Sequence, residues 1–70
     1  MTEYAIVIED AGDNLSAYVP DLPGCVSTGA SVEEVTQNIQ EAIALHIESL
    51  REHGEEVPAA TSRTGIVQVA

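Results

Sequence analysis

Val19-Pro20-Asp21-Leu22-Pro23-Gly24-Cys25-Val26-Ser27-Thr28-Gly29-Ala30-Ser31-Val32-Glu33-Glu34 turns the chain twice and then starts a helix. Pro20 and Pro23 each fix their own φ and push the preceding residue out of the helical region, so Val19 to Leu22 is extended or turned. Gly24 opens a backbone angle closed to other residues, and Cys25 to Thr28 is a short β-favouring run. Ser31 stands three residues before Glu34, the spacing at which each side chain satisfies a free N–H at a helix start. Turn, strand, turn and helix start are all written in this one segment.

Working outward toward the N-terminus, Tyr4-Ala5-Ile6-Val7-Ile8-Glu9 alternates Tyr4, Ile6 and Ile8 onto one face and predicts the first strand. Ala5 and Val7 make its other face half apolar, which predicts cover from another part of the chain or a second subunit. Asp10 to Asn14 has the residues of a hairpin turn, with Gly12 and Asn14 suited to positive φ. Leu15 to Val19 predicts the second strand, and the proline turn ends it.

Toward the C-terminus, the spacing predicts a helix from Val32 to about His53, roughly 33 Å long at 1.5 Å per residue. Val32, Val35, Ile39, Ile43, His46, Ile47 and Leu50 fall in one stripe, the face expected to lie on the sheet. Glu33 and Glu34 at the start, and Arg51 and His53 near the end, suit the helix dipole, and Gly54 is the natural residue just past the C-cap. Leu45 points to the polar side among Glu34, Asn38, Glu41 and Glu52, as an ordinary exposed leucine or as a subunit contact. Ala59 to Arg63 reads as a flexible connection. Gly65-Ile66-Val67-Gln68-Val69-Ala70 is β-favouring again, and predicts a fourth strand at the sheet edge or a pairing with a second subunit through Ile66, Val67 and Val69. The resulting plan is α+β: three antiparallel strands, one long helix across them and a C-terminal strand, in a single domain spanning residues 1–70.

Composition narrows the function classes. Twelve acidic residues against two arginines and no lysine give a net charge of -10. A surface of that sign repels phosphate backbones and has little with which to release their counterions, which argues against direct nucleic-acid binding. The same charge speeds encounter with a basic partner, or serves solubility alone. Seventy residues form a domain that buries only about 60% of its unfolded surface, so a homodimer or larger homo-oligomer is expected. A single cysteine forms no internal disulfide, and the chain has neither a leader pattern nor a bilayer-length apolar run. These features predict a cytoplasmic protein with no membrane association.

No catalytic, cofactor or metal set stands out. Asp10, Asp13 and Asp21 near turns, with Glu33 and Glu34 at the helix start, are the one conceivable nuclease-like metal cluster, yet turn hydrogen bonds and the helix dipole explain each locally. His46 and His53 are two helical turns apart, about 10 Å along the axis, too far to share one zinc without other ligands. Cys25 has no basic neighbour to activate it and reads as a small buried residue. No enzyme, cofactor or metal is expected.

Pro20-Asp21-Leu22-Pro23-Gly24-Cys25, followed by Ser27-x-Gly29-x-Ser31-x-Glu33-Glu34 and then Asn38-x-x-Glu41-Ala42-Ile43, resembles the signature of the HicB family, the antitoxins of HicA–HicB toxin–antitoxin pairs. The resemblance extends from about Tyr4 to Pro58. It implies a β-β-β-α-β order akin to a partial RNase H fold, and a partner: a HicA-like toxin, small and basic, that cleaves mRNA using a histidine. The expected role is inhibition by covering that toxin's RNA-binding and catalytic face, with Asp21, Leu22, Pro23, Gly24 and Cys25 as candidate partner contacts and Leu45, Ile66, Val67 and Val69 as candidate oligomer contacts. Many HicB proteins continue into a DNA-binding domain; this sequence shows none, so a single-domain form without promoter binding of its own is expected. The rival readings are an orphan homo-oligomeric structural protein and a metal-dependent RNase H-like nuclease.

Overall fold

Each local signal in the central stretch is realised in the computed structural model, which describes residues 2–70. Three strands and one helix follow in order: β1 Val7–Asp10, β2 Leu15–Tyr18, β3 Val26–Gly29 and α1 Val32–Glu52. The strands form an antiparallel sheet in the order β1-β2-β3. Ile8 stands opposite Ala17, and Ala17 opposite Ser27, across the face that carries the helix. The β1–β2 hairpin is closed by the Ala11 N–H donating to the Asn14 carbonyl at 2.8 Å. Gly12 takes positive φ there and Asn14 does not, so only the first of the two expected residues is used in that way.

Helix α1 starts and ends on side-chain and backbone caps. Ser31 Oγ accepts from the Glu34 N–H at 3.1 Å, and Glu34 Oε1 reaches back to accept from the Ala30 N–H at 2.9 Å. This is a capping box shifted by one residue, since the return bond goes to Ala30 rather than to Ser31. At the other end the Gly54 N–H donates to the Arg51 carbonyl and the Glu55 N–H to the Leu50 carbonyl, with Gly54 at φ 68°. That pair of bonds is a Schellman motif, and it requires the left-handed residue that glycine supplies without strain.

The core is one cluster between helix and sheet: Ala17, Val19, Leu22, Cys25, Val35 and Ile39, with Tyr4, Ile6, Ile8, Leu15, Ala42 and Ile43 packed partly buried around it. No polar residue is buried among the described residues. Gly29 sits where β3 meets the helix, and a Cβ built there would lie 2.5 Å from the Val35 backbone nitrogen, so the close approach depends on the missing side chain. Asn38 Nδ2 donates to the Thr28 carbonyl at 2.8 Å and ties the same two elements. Helix α1, at 21 residues, is about 31 Å long, whereas a four-residue strand spans only about 13 Å. The second half of the helix therefore overhangs the sheet, and His46, Ile47 and Leu50 are only half-buried. Val32, assigned to the packed stripe by periodicity, is exposed at the helix start.

Three sequence expectations need correction. The strand expected at Gly65–Ala70 is not formed: the segment is exposed along its length, and a strand needs a neighbour with which to share its ladder. The segment Ala59–Arg63 is not a free connection, because Thr61 and Ser62 are bonded to Asp21. Of the two covers expected for the outer face of the sheet, another part of the chain is not found over Tyr18 and Val26, which are 39% and 64% exposed among the described residues.

Candidate functional site

The proline turn is two reverse turns in series. The Leu22 N–H donates to the Val19 carbonyl at 3.1 Å, and the Cys25 N–H to the Leu22 carbonyl at 3.1 Å. The Val19 N–H closes the whole loop on the Cys25 carbonyl at 3.2 Å. Each proline occupies the second position of its turn, and Gly24, at φ 84°, occupies the third position of the second, as a type II turn requires. The consequence is that Leu22 and Cys25 point inward. Both side chains are buried, which makes them the hydrophobic anchor of the turn and leaves them without surface for a partner in the isolated chain. Burial also raises the pKa of the Cys25 thiol, keeping it protonated and unreactive.

Pro23 and Gly24 are exposed and Asp21 is half-buried, so these three form the outward surface of the turn. Asp21 is bound in place from the far end of the chain. Its Oδ2 accepts from the Ser62 N–H at 2.9 Å and the Thr61 N–H at 3.0 Å; its Oδ1 accepts from Ser62 Oγ at 2.8 Å and Thr61 Oγ1 at 3.2 Å. The Ser62 backbone and hydroxyl bonds, with those from Thr61, hold its carboxyl below the ordinary aspartate pKa against a smaller opposing effect of desolvation. Tyr4 Oη donates to the Pro58 carbonyl at 2.6 Å, fixing the same returning segment one step earlier. The sequence reading missed Thr61 and Ser62, since bonds across 40 and 41 residues leave no periodic trace.

The acidic residues are displayed rather than clustered. Eleven of the twelve are exposed, Asp21 being the exception. On the outer side of α1, Glu34, Glu41, Glu48 and Glu52 form a stripe at helical spacing, and Leu45, 67% exposed, stands within it. Among the described residues no three of His, Cys, Asp and Glu converge to hold a metal ion. Asp10, Asp13 and Asp21 are therefore not assembled into a nuclease-like cluster, and the Asp21 carboxylate is committed to Thr61 and Ser62. No helix of the described residues is long and apolar enough to cross a membrane. What the geometry presents is a rigid turn, an acidic helix face with one apolar knob, and an unpaired tail.

These features coincide with similarities to known proteins. Residues 4–69 match the family described as the HicB-like antitoxin of bacterial toxin-antitoxin systems. A UPF0150 protein of Thermoplasma acidophilum is 40% identical over 57 residues, covering 80% of this chain and 83% of that protein. A protein from the rep-hol intergenic region of Haemophilus phage HP1 is 46% identical over 55 residues, covering 79% of this chain but 41% of its own length. The chain thus spans about two fifths of the phage relative and about four fifths of the archaeal one. A chain in the solved structure of the HicA3 and HicB3 toxin-antitoxin complex superposes with a TM-score of 0.75 at 32% identity, covering 86% of this chain and 70% of that one. With the capped helix, the proline turn and the three-stranded sheet all lying inside the matched span, the chain belongs to the HicB-like antitoxin family.

Proposed function

We propose that this chain is an antitoxin that binds a HicA-like, RNA-cleaving toxin and inhibits it by covering the basic surface on which RNA would lie. Family membership supports the antitoxin role, and the similarity to a chain of a toxin–antitoxin complex supports a protein partner. The observation that carries the mechanism is the acidic stripe on α1, in which Glu41 and Glu48 flank the exposed Leu45 while Glu34 and Glu52 extend the stripe toward the two ends of the helix. Carboxylates spaced along a rigid helix offer a basic surface the charge it would otherwise find in phosphates, and Leu45 supplies an apolar anchor that phosphate lacks. The proposed inhibition is competitive, because toxin bound to this face is closed to RNA. The exposed Pro23 and Gly24 and the half-buried Asp21 of the proline turn add shape to the contact.

The test is co-expression with a HicA-like toxin, co-purification at low and high salt, and an RNA-cleavage assay of that toxin. The expected result is a complex that weakens as salt rises and silences cleavage, with Leu45→Ala lowering affinity by about 5- to 30-fold, as loss of 1–2 kcal/mol at an interface anchor would. A folded chain that associates with that protein at no salt concentration would sink the proposal.

A further inference from the structure

The sheet has two open edges, and the structure treats them differently. In an antiparallel ladder, successive residues turn their peptide groups to opposite sides. The bonds Ala11 N–H to Asn14 carbonyl and Val19 N–H to Cys25 carbonyl set the phase: Val7 and Glu9 face β2, Ala17 faces β3, and Val26 and Thr28 face outward from β3. The outer side of β3 is blunted, since Asn38 Nδ2 occupies the Thr28 carbonyl. On β1 the outward peptide groups are those of Ile8 and Asp10. Among the described residues, no backbone bond from a turn or loop reaches them.

Beside that open edge lies an unfilled groove. The helix rests mainly on β3 and β2, so its underside is uncovered on the β1 side. There Tyr4 and Ile6 face Ile39, Gln40 and Ile43 across a groove of about 350 Å3. A strand laid against β1 would bond the free peptide groups and put alternate side chains into this groove. The strand it calls for is short, β-branched at alternate positions and uncharged, because Glu3, Glu9 and Asp10 flank the neutral stretch from Tyr4 to Ile8.

This chain carries such a segment with nothing to pair with. Gly65 to Ala70 contains no charged residue, and Ile66, Val67 and Val69 are 100%, 89% and 88% exposed. Its root is fixed: Thr61 and Ser62 are held by Asp21, and Ser62 to Thr64 lie beside Glu3 to Ala5. Beyond Thr64 the tail leaves its own sheet. We propose that the tail of one copy adds as a strand to the β1 edge of a second copy, over the groove between Tyr4, Ile6, Ile39 and Ile43, and that the exchange is reciprocal in a two-fold dimer. A two-fold arrangement makes both contacts equivalent and leaves no tail unpaired. The uncharged tail and the neutral stretch from Tyr4 to Ile8 let two copies of net charge -10 meet between the carboxylates of Glu3 and Glu9 and not upon them. The dimer is consequently strengthened by added salt, which screens the remaining like charges, whereas a complex with a basic partner is weakened.

Sedimentation velocity of the full chain alone, at low and high salt, tests this without any toxin, so its outcome is independent of the antitoxin reading. The expected result is a dimer favoured by salt that becomes a monomer in the double variant Val67→Asp, Val69→Asp, with the helical far-UV circular dichroism signal of α1 retained, while Leu45→Glu remains dimeric. A full chain that is monomeric at high salt overturns the proposal, as does a double variant that stays dimeric. Dissociation by Leu45→Glu with the double variant still dimeric would place the interface on α1 and overturn it equally.

Discussion

The carboxylate of Asp21 accepts both the backbone N–H and the hydroxyl of Ser62, at 2.9 and 2.8 Å, across 41 residues of chain. Thr61 adds a matching pair, so one side chain in the proline turn satisfies four donors of the returning C-terminal segment. The turn that positions the start of β3 thereby also positions the root of the tail.

Asp21→Ala should free that root while leaving the helix and sheet intact, since the bonds involved are outside the core. Arg51 and Arg63 are the only basic residues, and therefore the only trypsin sites. Cleavage after Arg63 should accelerate severalfold in the variant, and cleavage after Arg51, in the last turn of α1, should not. Equal rates at Arg63 in the two proteins would show that the four bonds do not restrain the tail.

The latch should also open in acid. Because the folded-state pKa of Asp21 is depressed, its contribution is complete above the ordinary aspartate value of about 3.9 and is lost as pH falls through the lower, folded-state value. The amide resonances of Thr61 and Ser62 should shift together over that acidic range, and both shifts should be absent from Asp21→Ala.

Leu22→Ala should cost about 2–5 kcal/mol, because Leu22 is wholly buried beneath the turn and the two prolines limit how far the site can collapse. Pro23→Ala, at an exposed position, should cost less, about 0.4–1 kcal/mol through greater freedom of the unfolded chain. Urea unfolding of the two variants measures the difference.

Gly29→Ala should destabilise by about 1–3 kcal/mol, since the new methyl meets the Val35 backbone and not a movable side chain. The strain would be relieved by separating β3 from the start of α1, so loss of the Asn38 to Thr28 bond should accompany it, visible as altered Asn38 side-chain amide resonances.

Tyr4→Phe removes the 2.6 Å bond to the Pro58 carbonyl and should cost about 1 kcal/mol, with faster cleavage at Arg63. Combined with Asp21→Ala, the acceleration should exceed the product of the single effects, because the two contacts restrain one segment.

The elements legible in the sequence were those whose cause lies within a few residues. Pro20, Pro23 and Gly24 specify the double turn, Ser31 with Glu34 the start of α1, and Gly54 its end, through backbone geometry and caps that act locally. Alternation in Tyr4, Ile6 and Ile8 likewise picks out side chains that pack on the core, although only Ile8 lies within β1, and the motif run from Pro20 to Ile43 was enough to reveal the family. Tertiary structure alone decided that Leu22 and Cys25 are buried anchors of the turn, because a turn's sequence does not say which of its residues meets the core. It alone joined Asp21 to Thr61 and Ser62, since partners across 40 and 41 residues are chosen by where the chain returns. It also left Gly65 to Ala70 outside the sheet. Strand propensity is a property of side chains, but a strand exists only where a second backbone stands ready to share its hydrogen bonds.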